Sequence, residues 1–321
     1  IWAARWSRPR TRPLADASFA VLFPGQGAQF VGMAGDWCDA CEPARRIFDR
    51  GSAVLGYDLL DICRTGPSER LESTAVSQPA ILATSLAMLE LLRSAADSPF
   101  AGPGIEPATA GLSLGEYTAL VHSGGLDLEA AFRVVDVRGR AMQACAEASP
   151  GGMVAVLGLE RPEVAAVCDQ ARDGGVLEIA NVLCPGNIVV SGSRDACDRV
   201  PAAAAAAGAM KCVPLAVAGA FHTPLMEPAR DRLTEVLGEV ELRRPRIPVI
   251  SNVDAQPHTD PDEIRRLLAR QVCGVVEWQA SMEQLLSTGV ARLWEVGPGR
   301  VLRGLLKRID RRKPCRGVLD G

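Results

Sequence analysis

The hydrophobic positions of this chain form short continuous runs and longer stretches with helical spacing. Ser18 to Phe23 is a compact apolar run that breaks at Pro24-Gly25, and Ala108 to Leu112 is a second run. Such runs predict buried strands, whereas the apolar residues between Gln78 and Arg93 recur with helical spacing and predict a core helix. The alternation of strands and helices predicts an α/β fold.

The pattern changes after Pro150-Gly151-Gly152, which we interpret as a domain boundary. Beyond it, strands and helices follow one another in the order typical of a ferredoxin-like unit, strand-helix-strand-strand-helix, with a last strand to complete it. The predicted elements are Met153–Leu157, Pro162–Arg172, Val176–Val182, Ile188–Ser191, Ala196–Ala209 and Lys211–Val217.

These boundaries predict a small domain inserted into a larger one. Residues 18–149 and 218–312 would form an α/β-hydrolase-like domain around a parallel sheet. Residues 150–217 would form the ferredoxin-like subdomain, and residues 313–321 a tail.

The first stretch, residues 1–17, differs from the rest in composition. It carries four arginines but only one acid, Asp16. Arg-rich and acid-poor leaders are typical of organelle transit peptides, so we expect a leader or its remnant here. The alternative is a disordered basic arm.

Composition narrows the classes of partner. The formal net charge is −3, which argues against a general nucleic-acid or membrane-surface binder. Aromatic residues make up only 4%, so few platforms exist for stacking bases. We expect no nucleic-acid partner and no membrane partner, since no apolar run approaches the length of a membrane-spanning helix.

The ten cysteines are scattered through predicted helices and strands. Cys38 and Cys41 are the only pair at C-x-x-C spacing, and no second pair completes a four-ligand site. We therefore predict no metal site, and we interpret the cysteines as small buried hydrophobes in a reducing compartment.

The candidate nucleophile is Ser113, in the G-x-S-x-G stretch Gly111 to Gly115. This stretch lies where a strand gives way to a helix, a turn that exposes the serine hydroxyl beside the unpaired N–H groups of the helix. An exposed hydroxyl next to an anion-stabilising site is what acyl transfer requires. The alternative is that Ser113 only caps the helix.

Three histidines are candidates for the base. His122 follows Ser113 by nine residues on the same helix and would point away from the turn, so we predict a structural role. His258 lies in a loop rich in proline and aspartate, where we expect it to be solvated. His222, in a Gly/Ala loop before a helix, is then the base by elimination, or else a loop histidine with no catalytic role.

Six motifs carry a resemblance to a known family: Phe23–Gln29, Gly111–Tyr117, Val137–Gln143, Gly219–Thr223, Ser251–Asp254 and Glu295–Gly299. From Phe19 to about Arg312 the chain resembles the malonyl-CoA:acyl carrier protein transacylases. One departure is Leu112, where many members have histidine.

The resemblance implies the roles of the site residues. Ser113 would carry the acyl group and His222 would be its base, oriented by the main-chain carbonyl of Gln271. The backbone N–H groups of Gln26 and Leu114 would form the oxyanion hole.

Substrate selection also follows from the resemblance. Arg138 would hold the free carboxylate of malonyl, because a guanidinium pairs with a carboxylate through two parallel hydrogen bonds. Phe221 matches the malonyl-selective form of the family.

The implied reaction moves malonyl from malonyl-CoA to the phosphopantetheine thiol of acyl carrier protein, for type II fatty acid synthesis. No cofactor beyond the substrates and no metal is expected, and the protein should be a monomer. Because the carrier protein is typically acidic, we expect a basic patch on this protein. The candidate is the cluster Lys307, Arg308, Arg311 and Arg312, and the alternative is that these residues form a solvated tail.

The resemblance also bears on location. Residues 180–187 and 245–258 look like plant and algal plastid forms, so we expect the plastid stroma, with the mitochondrial matrix as the alternative. Two rival functions stay open, a serine esterase or thioesterase of related fold and a non-catalytic module that binds carrier protein.

Overall fold

The computed structural model of the chain describes residues 18–95, 98–101, 104–217 and 219–319. The leader predicted for residues 1–17 lies outside the described residues. The strands are β1 (Phe19–Phe23), β2 (Thr109–Gly111), β3 (Gly151–Leu157), β4 (Leu177–Cys184), β5 (Asn187–Ser193), β6 (Lys211–Pro214), β7 (Val249–Ile250), β8 (Pro257–His258), β9 (Arg292–Glu295) and β10 (Cys315–Gly317).

Helices connect and cover these strands. They are α1 (Glu42–Leu55), α2 (Leu59–Thr65), α3 (Ser68–Glu72), α4 (Thr74–Ser94), α5 (Gly115–Ser123), α6 (Leu128–Ala148), α7 (Arg161–Arg172), α8 (Arg194–Ala206), α9 (Glu227–Glu239), α10 (Pro261–Gln271), α11 (Trp278–Ser287) and α12 (Val301–Ile309). Two short 3₁₀ turns, Asp36–Cys38 and Pro224–Met226, complete the described elements.

The larger sheet has the strand order β10-β9-β1-β2-β7-β8. All neighbours pair in parallel except β7 and β8, which are antiparallel. The sheet predicted to be parallel is therefore mixed, because the short connection between β7 and β8 leaves room only for a hairpin-like return. Strand β10 lies in the segment predicted to be a tail, and it pairs with β9 at the sheet edge.

The smaller sheet has the order β4-β5-β3-β6, and all its neighbours are antiparallel. Its strands and helices follow the predicted chain order, β3-α7-β4-β5-α8-β6. One face, with Val154 and Val190, packs with α7 and α8 into a core of its own. The other face sends Met153, Ala155 and Val189 into the core of the larger sheet, so the two sheets are packed together.

Helix α4 is the central helix of the large core. It has 21 residues and a mean hydropathy of 1.4, so by length and composition it could cross a membrane. The prediction that no apolar run approaches the length of a membrane-spanning helix was therefore wrong. In the structure 78% of its apolar stretch is buried, and the apolar side chains are accounted for by packing inside the protein.

Helices α4 and α6 approach each other closely at Gly139, where a Cβ would lie 2.7 Å from the carbonyl oxygen of Thr74. Gly139→Ala should destabilise the protein by about 1–3 kcal/mol, because backbone cannot yield as a side chain can. The matched control is Gly304→Ala in α12, where a Cβ meets nothing within 4 Å. It should stabilise the protein by about 1 kcal/mol through helix propensity. Thermal unfolding measures both, and equal effects would contradict this packing.

Candidate active site

Ser113 lies on the turn between β2 and α5, with a backbone φ of 49°. A positive φ is uncommon for a residue other than glycine and is found where surrounding structure holds it. The side chain of Asn252 fixes the backbone of this turn through two hydrogen bonds. Its Oδ1 accepts from the Ser113 N–H at 2.6 Å, and its Nδ2 donates to the Gly111 carbonyl at 2.8 Å. A Cβ at Gly111 would collide with the backbone of Gly115, so the predicted turn needs its small residues.

His222 lies beside the serine, with its Nε2 3.0 Å from Ser113 Oγ. Its Nδ1 lies 2.8 Å from the main-chain carbonyl oxygen of Gln271, so Nδ1 carries the ring proton. Nε2 is then the acceptor for the serine hydroxyl, which is the arrangement of a nucleophile and its general base. His222 also has a positive φ, 62°, so both members of the pair are held in uncommon backbone conformations.

The electrostatics of the site keep His222 neutral. Burial lowers the pKa of His222 to about 4, with the Arg138 guanidinium as the second cause. Hydrogen bonding to the carbonyls of Gln271 and Gly274 acts in the opposite direction and is weaker. At neutral pH the ring is therefore in the form that accepts a proton.

Arg138 reaches into the site from α6 and is only 1% exposed. Its guanidinium donates to Ser113 Oγ at 3.1 Å, to Gln78 Oε1 at 2.7 Å and to Gln271 Oε1 at 3.0 Å. It also lies over the ring of Tyr117, 5.5 Å from the centroid. Among the described residues, its hydrogen-bond partners are amide and hydroxyl oxygens, and no carboxylate forms an ion pair with it. Burial lowers the pKa of Arg138, as expected for a desolvated cation.

Three side chains that complete the site were not predicted in these roles. Gln78 accepts from Arg138, and the amide of Gln271 donates to the Ser113 carbonyl at 3.0 Å and to Glu116 Oε2 at 2.8 Å. Glu116 is buried, and burial raises the pKa of its carboxyl to about 7. A glutamine at the predicted helix start and the glutamate after G-x-S-x-G were visible in the sequence, but their partners were not.

Gln26 and Leu114 lie on the loops that follow the neighbouring parallel strands β1 and β2. The Leu112 N–H donates to the Phe23 carbonyl at 2.9 Å, which joins these loops directly. Among the described residues, neither the Gln26 N–H nor the Leu114 N–H donates a hydrogen bond to the protein. Both amides are therefore free to bind an oxyanion.

Phe221 and Leu112 are placed differently. Phe221 is 4% exposed and belongs to the large hydrophobic core, directly before His222 in the chain. Leu112 is partly buried and packs against the second hydrophobic core, so an apolar residue suits the position. Neither placement assigns a role in substrate selection.

The other two histidines lie outside the site. His122 is buried between Glu106, at 2.9 Å, and Arg93, at 3.1 Å, which agrees with the structural role predicted for it. The prediction that His258 is solvated was wrong. Its side chain is 11% exposed and lies between Asp254 and Glu263, because α10 and the β7–β8 connection enclose it.

Most of the cysteines are buried in the protein. All ten cysteines lie within the described ranges, and seven of them are buried. Among the residues that the structure describes, no group of three or more His, Cys, Asp or Glu side chains is arranged to hold a metal ion.

Comparison with known proteins agrees with the geometry. The acyl transferase domain family matches residues 20–307. This chain belongs to the acyl transferase family. It is 41% identical over 292 residues to the malonyl CoA-acyl carrier protein transacylase of Escherichia coli strain K12, covering 91% of this chain and 92% of that protein. The Bacillus subtilis strain 168 enzyme of the same name is 38% identical over 306 residues, covering 95% and 94%.

Solved structures of acyl transferases superpose on the whole described fold. An acyl carrier protein S-malonyltransferase from Vibrio cholerae gives a TM-score of 0.88 at 40% identity, covering 94% of this chain and 96% of that one. A malonyl-transacylase in complex with a type II PKS acyl-carrier protein also gives 0.88, at 38% identity, covering 95% and 97%.

The protonation of His222 can be tested in this acyl transferase by NMR of protein labelled at histidine. The chain has only three histidines, so replacing His122 and His258 singly by glutamine assigns the signals. We expect the His222 ring to stay neutral from pH 8 down to about pH 5, because its pKa is lowered to about 4. Arg138→Met should move the midpoint to higher pH, since it removes a neighbouring positive charge. A wild-type midpoint near 6.5 would contradict this electrostatic account.

Proposed function

We propose that this acyl transferase moves the malonyl group from malonyl-CoA to the phosphopantetheine thiol of acyl carrier protein, for type II fatty acid synthesis. The observation that carries the proposal is the guanidinium of Arg138, which is buried 3.1 Å from the candidate nucleophile and has no carboxylate partner in the described part of the chain. A substrate whose acyl group ends in a carboxylate supplies the missing partner. The names of the relatives agree with this substrate.

The chemistry proceeds in two steps through an acyl-serine. His222 Nε2 takes the proton of Ser113 Oγ, and the oxygen attacks the thioester carbonyl. The resulting oxyanion is stabilised by the amides of Gln26 and Leu114, and CoA leaves as a thiol with the proton from His222. In the second step His222 takes the proton of the phosphopantetheine thiol. The thiolate then attacks the ester, and Ser113 recovers its proton.

Arg138 selects the acyl group by its charge. Two N–H groups of a guanidinium can bind both oxygens of a carboxylate, and this pairing is stronger where water is excluded. Acetyl-CoA has no such group, so it leaves the buried cation uncompensated. Phe221 is proposed to disfavour branched acyl groups, which a comparison of malonyl-CoA with methylmalonyl-CoA would test.

The finer structural description is also a proposal. We assign residues 18–149 and 218–312, together with the edge strand β10, to an α/β-hydrolase-like domain. Residues 150–217 are assigned to a ferredoxin-like subdomain. The strand-to-helix turn at Ser113 supports the first assignment, and the chain order of β3 to β6 supports the second.

The reaction as written needs no cofactor or metal beyond its two substrates. The monomeric state and the plastid location stay predictions, and the relatives compared above are bacterial. Sedimentation of the purified protein would test the first. Detection of the native protein outside plastids in fractionated cells would contradict the second.

The acyl-serine is the first test of the proposed function. Brief incubation with malonyl-CoA should add one malonyl group to the intact protein, as measured by mass spectrometry, and Ser113→Ala should abolish the adduct. Transfer of that adduct to phosphopantetheinylated acyl carrier protein completes the reaction. Absence of both the adduct and released CoA would overturn the proposal in favour of a non-catalytic module that binds carrier protein.

Arg138→Ala separates the transferase from a serine esterase of related fold. The variant should lose its preference for malonyl-CoA over acetyl-CoA, because the partner of the malonyl carboxylate is removed. Ser113 should remain acylatable, since His222 still lies within hydrogen-bond distance of its hydroxyl. The matched control is Arg140→Ala on the same helix, whose exposed side chain pairs with Asp136. It should keep the wild-type preference. An unchanged preference in Arg138→Ala would favour the esterase.

A further inference from the structure

We infer that Glu116 is a positioning residue, whose carboxylate fixes the amide orientation of Gln271 and thereby holds the Arg138 guanidinium beside Ser113. This inference rests on the proposed function, because it concerns how the malonyl-binding group is aligned. Among the described residues, the Glu116 carboxylate forms no hydrogen bond to Ser113 Oγ or to His222. Its effect passes through Gln271.

The geometry around Glu116 leaves its carboxylate as an acceptor. Glu116 is 2% exposed and lies in the first turn of α5, three residues after the nucleophile. Its Oε2 accepts from the Asn252 N–H at 3.1 Å and from Gln271 Nε2 at 2.8 Å. Two donors on a single buried oxygen favour the ionised carboxyl.

This arrangement decides which way the Gln271 amide points. Both hydrogens of its Nε2 are used, one by Glu116 and one by the Ser113 carbonyl at 3.0 Å. The amide oxygen consequently faces Arg138, from which it accepts at 3.0 Å. A flipped amide would place NH₂ against the guanidinium and oxygen against the carboxylate, so donors would face donors and acceptors would face acceptors.

Gln271 therefore joins three parts of the site. Its main-chain carbonyl accepts from His222 Nδ1 at 2.8 Å, and its side chain connects Glu116 to Arg138. The main-chain contact does not depend on the amide orientation. Loss of the Glu116 carboxylate should then impair binding of the malonyl carboxylate while leaving the nucleophile and base paired.

The test compares acylation of Ser113 by malonyl-CoA and by acetyl-CoA at pH 8, followed by intact-protein mass spectrometry. The proteins are the wild type, Glu116→Met, Arg138→Ala and the double variant. Glu116→Met removes both acceptor oxygens, so it should lower the malonyl-to-acetyl rate ratio about tenfold, and it should cause no further loss once Arg138 is absent. Non-additivity of this kind is expected when two residues act through one network.

Two further variants make the test independent of folding defects. Gln271→Met keeps the main-chain carbonyl but removes the amide, so it should lower the same ratio without abolishing acetylation. Thr118→Val is the matched control, because Thr118 is buried on α5 and its hydroxyl has no hydrogen-bond partner among the described residues. It should behave as the wild type does.

The outcomes distinguish the inference from the proposed function. A wild type that forms no malonyl-serine defeats the proposed function itself. If the wild type does form malonyl-serine and the ratio is unchanged in both Glu116→Met and Gln271→Met, the positioning role is overturned. Equal losses with malonyl-CoA and acetyl-CoA in these variants, together with lower melting temperatures, assign Glu116 a structural role only and likewise overturn it.

Discussion

The buried positive charge of Arg138 is the constraint on which the site depends. A guanidinium taken out of water is costly unless it is paired, and here its partners are two amide oxygens, a serine hydroxyl and an aromatic face. These groups solvate the charge without neutralising it. After burial, this charge is the second cause of the lowered pKa of His222. The residue proposed to bind the malonyl carboxylate thus also helps to keep the base in its proton-accepting form.

The fold assembles this site from distant parts of the chain. Strands β1 and β2 lie side by side and in parallel, so the loops with Gln26 and Ser113 follow them at one edge of the sheet. Asn252 arrives after β7 and Gln271 at the end of α10, while the small sheet occupies the chain between β2 and β7. The positive φ angles of Ser113 and His222 persist because these neighbours hold them from several directions.

The sequence revealed the parts of the site that are local. Ser113 was identified from its strand-to-helix turn, and His222 by elimination among three histidines. The interactions of Arg138 with Gln271, 133 positions away, and of Glu116 with Gln271, 155 positions away, have no local pattern that predicts them. Resemblance to a family supplied Arg138 and Gln271, but it assigned no role to Glu116.

The fold was predictable to a similar extent. Long periodic segments such as α4 and the elements from β3 to β6 were identified because their apolar positions repeat many times. Strands β8 and β10 have two and three residues, too few for a hydrophobic pattern. Each forms by pairing with a neighbouring strand. The enclosure of His258 likewise depends on tertiary contacts, which the sequence of a proline-rich loop does not predict.

The most direct test of the central claim is a crystal structure of the protein trapped as malonyl-Ser113. The account predicts that the guanidinium of Arg138 exchanges its hydrogen bond to Ser113 Oγ for two to the malonyl carboxylate, at about 2.7–2.9 Å each. Gln78 and Gln271 should remain its other partners. A malonyl carboxylate that points to solvent, with Arg138 still bonded to the serine oxygen, would contradict the account.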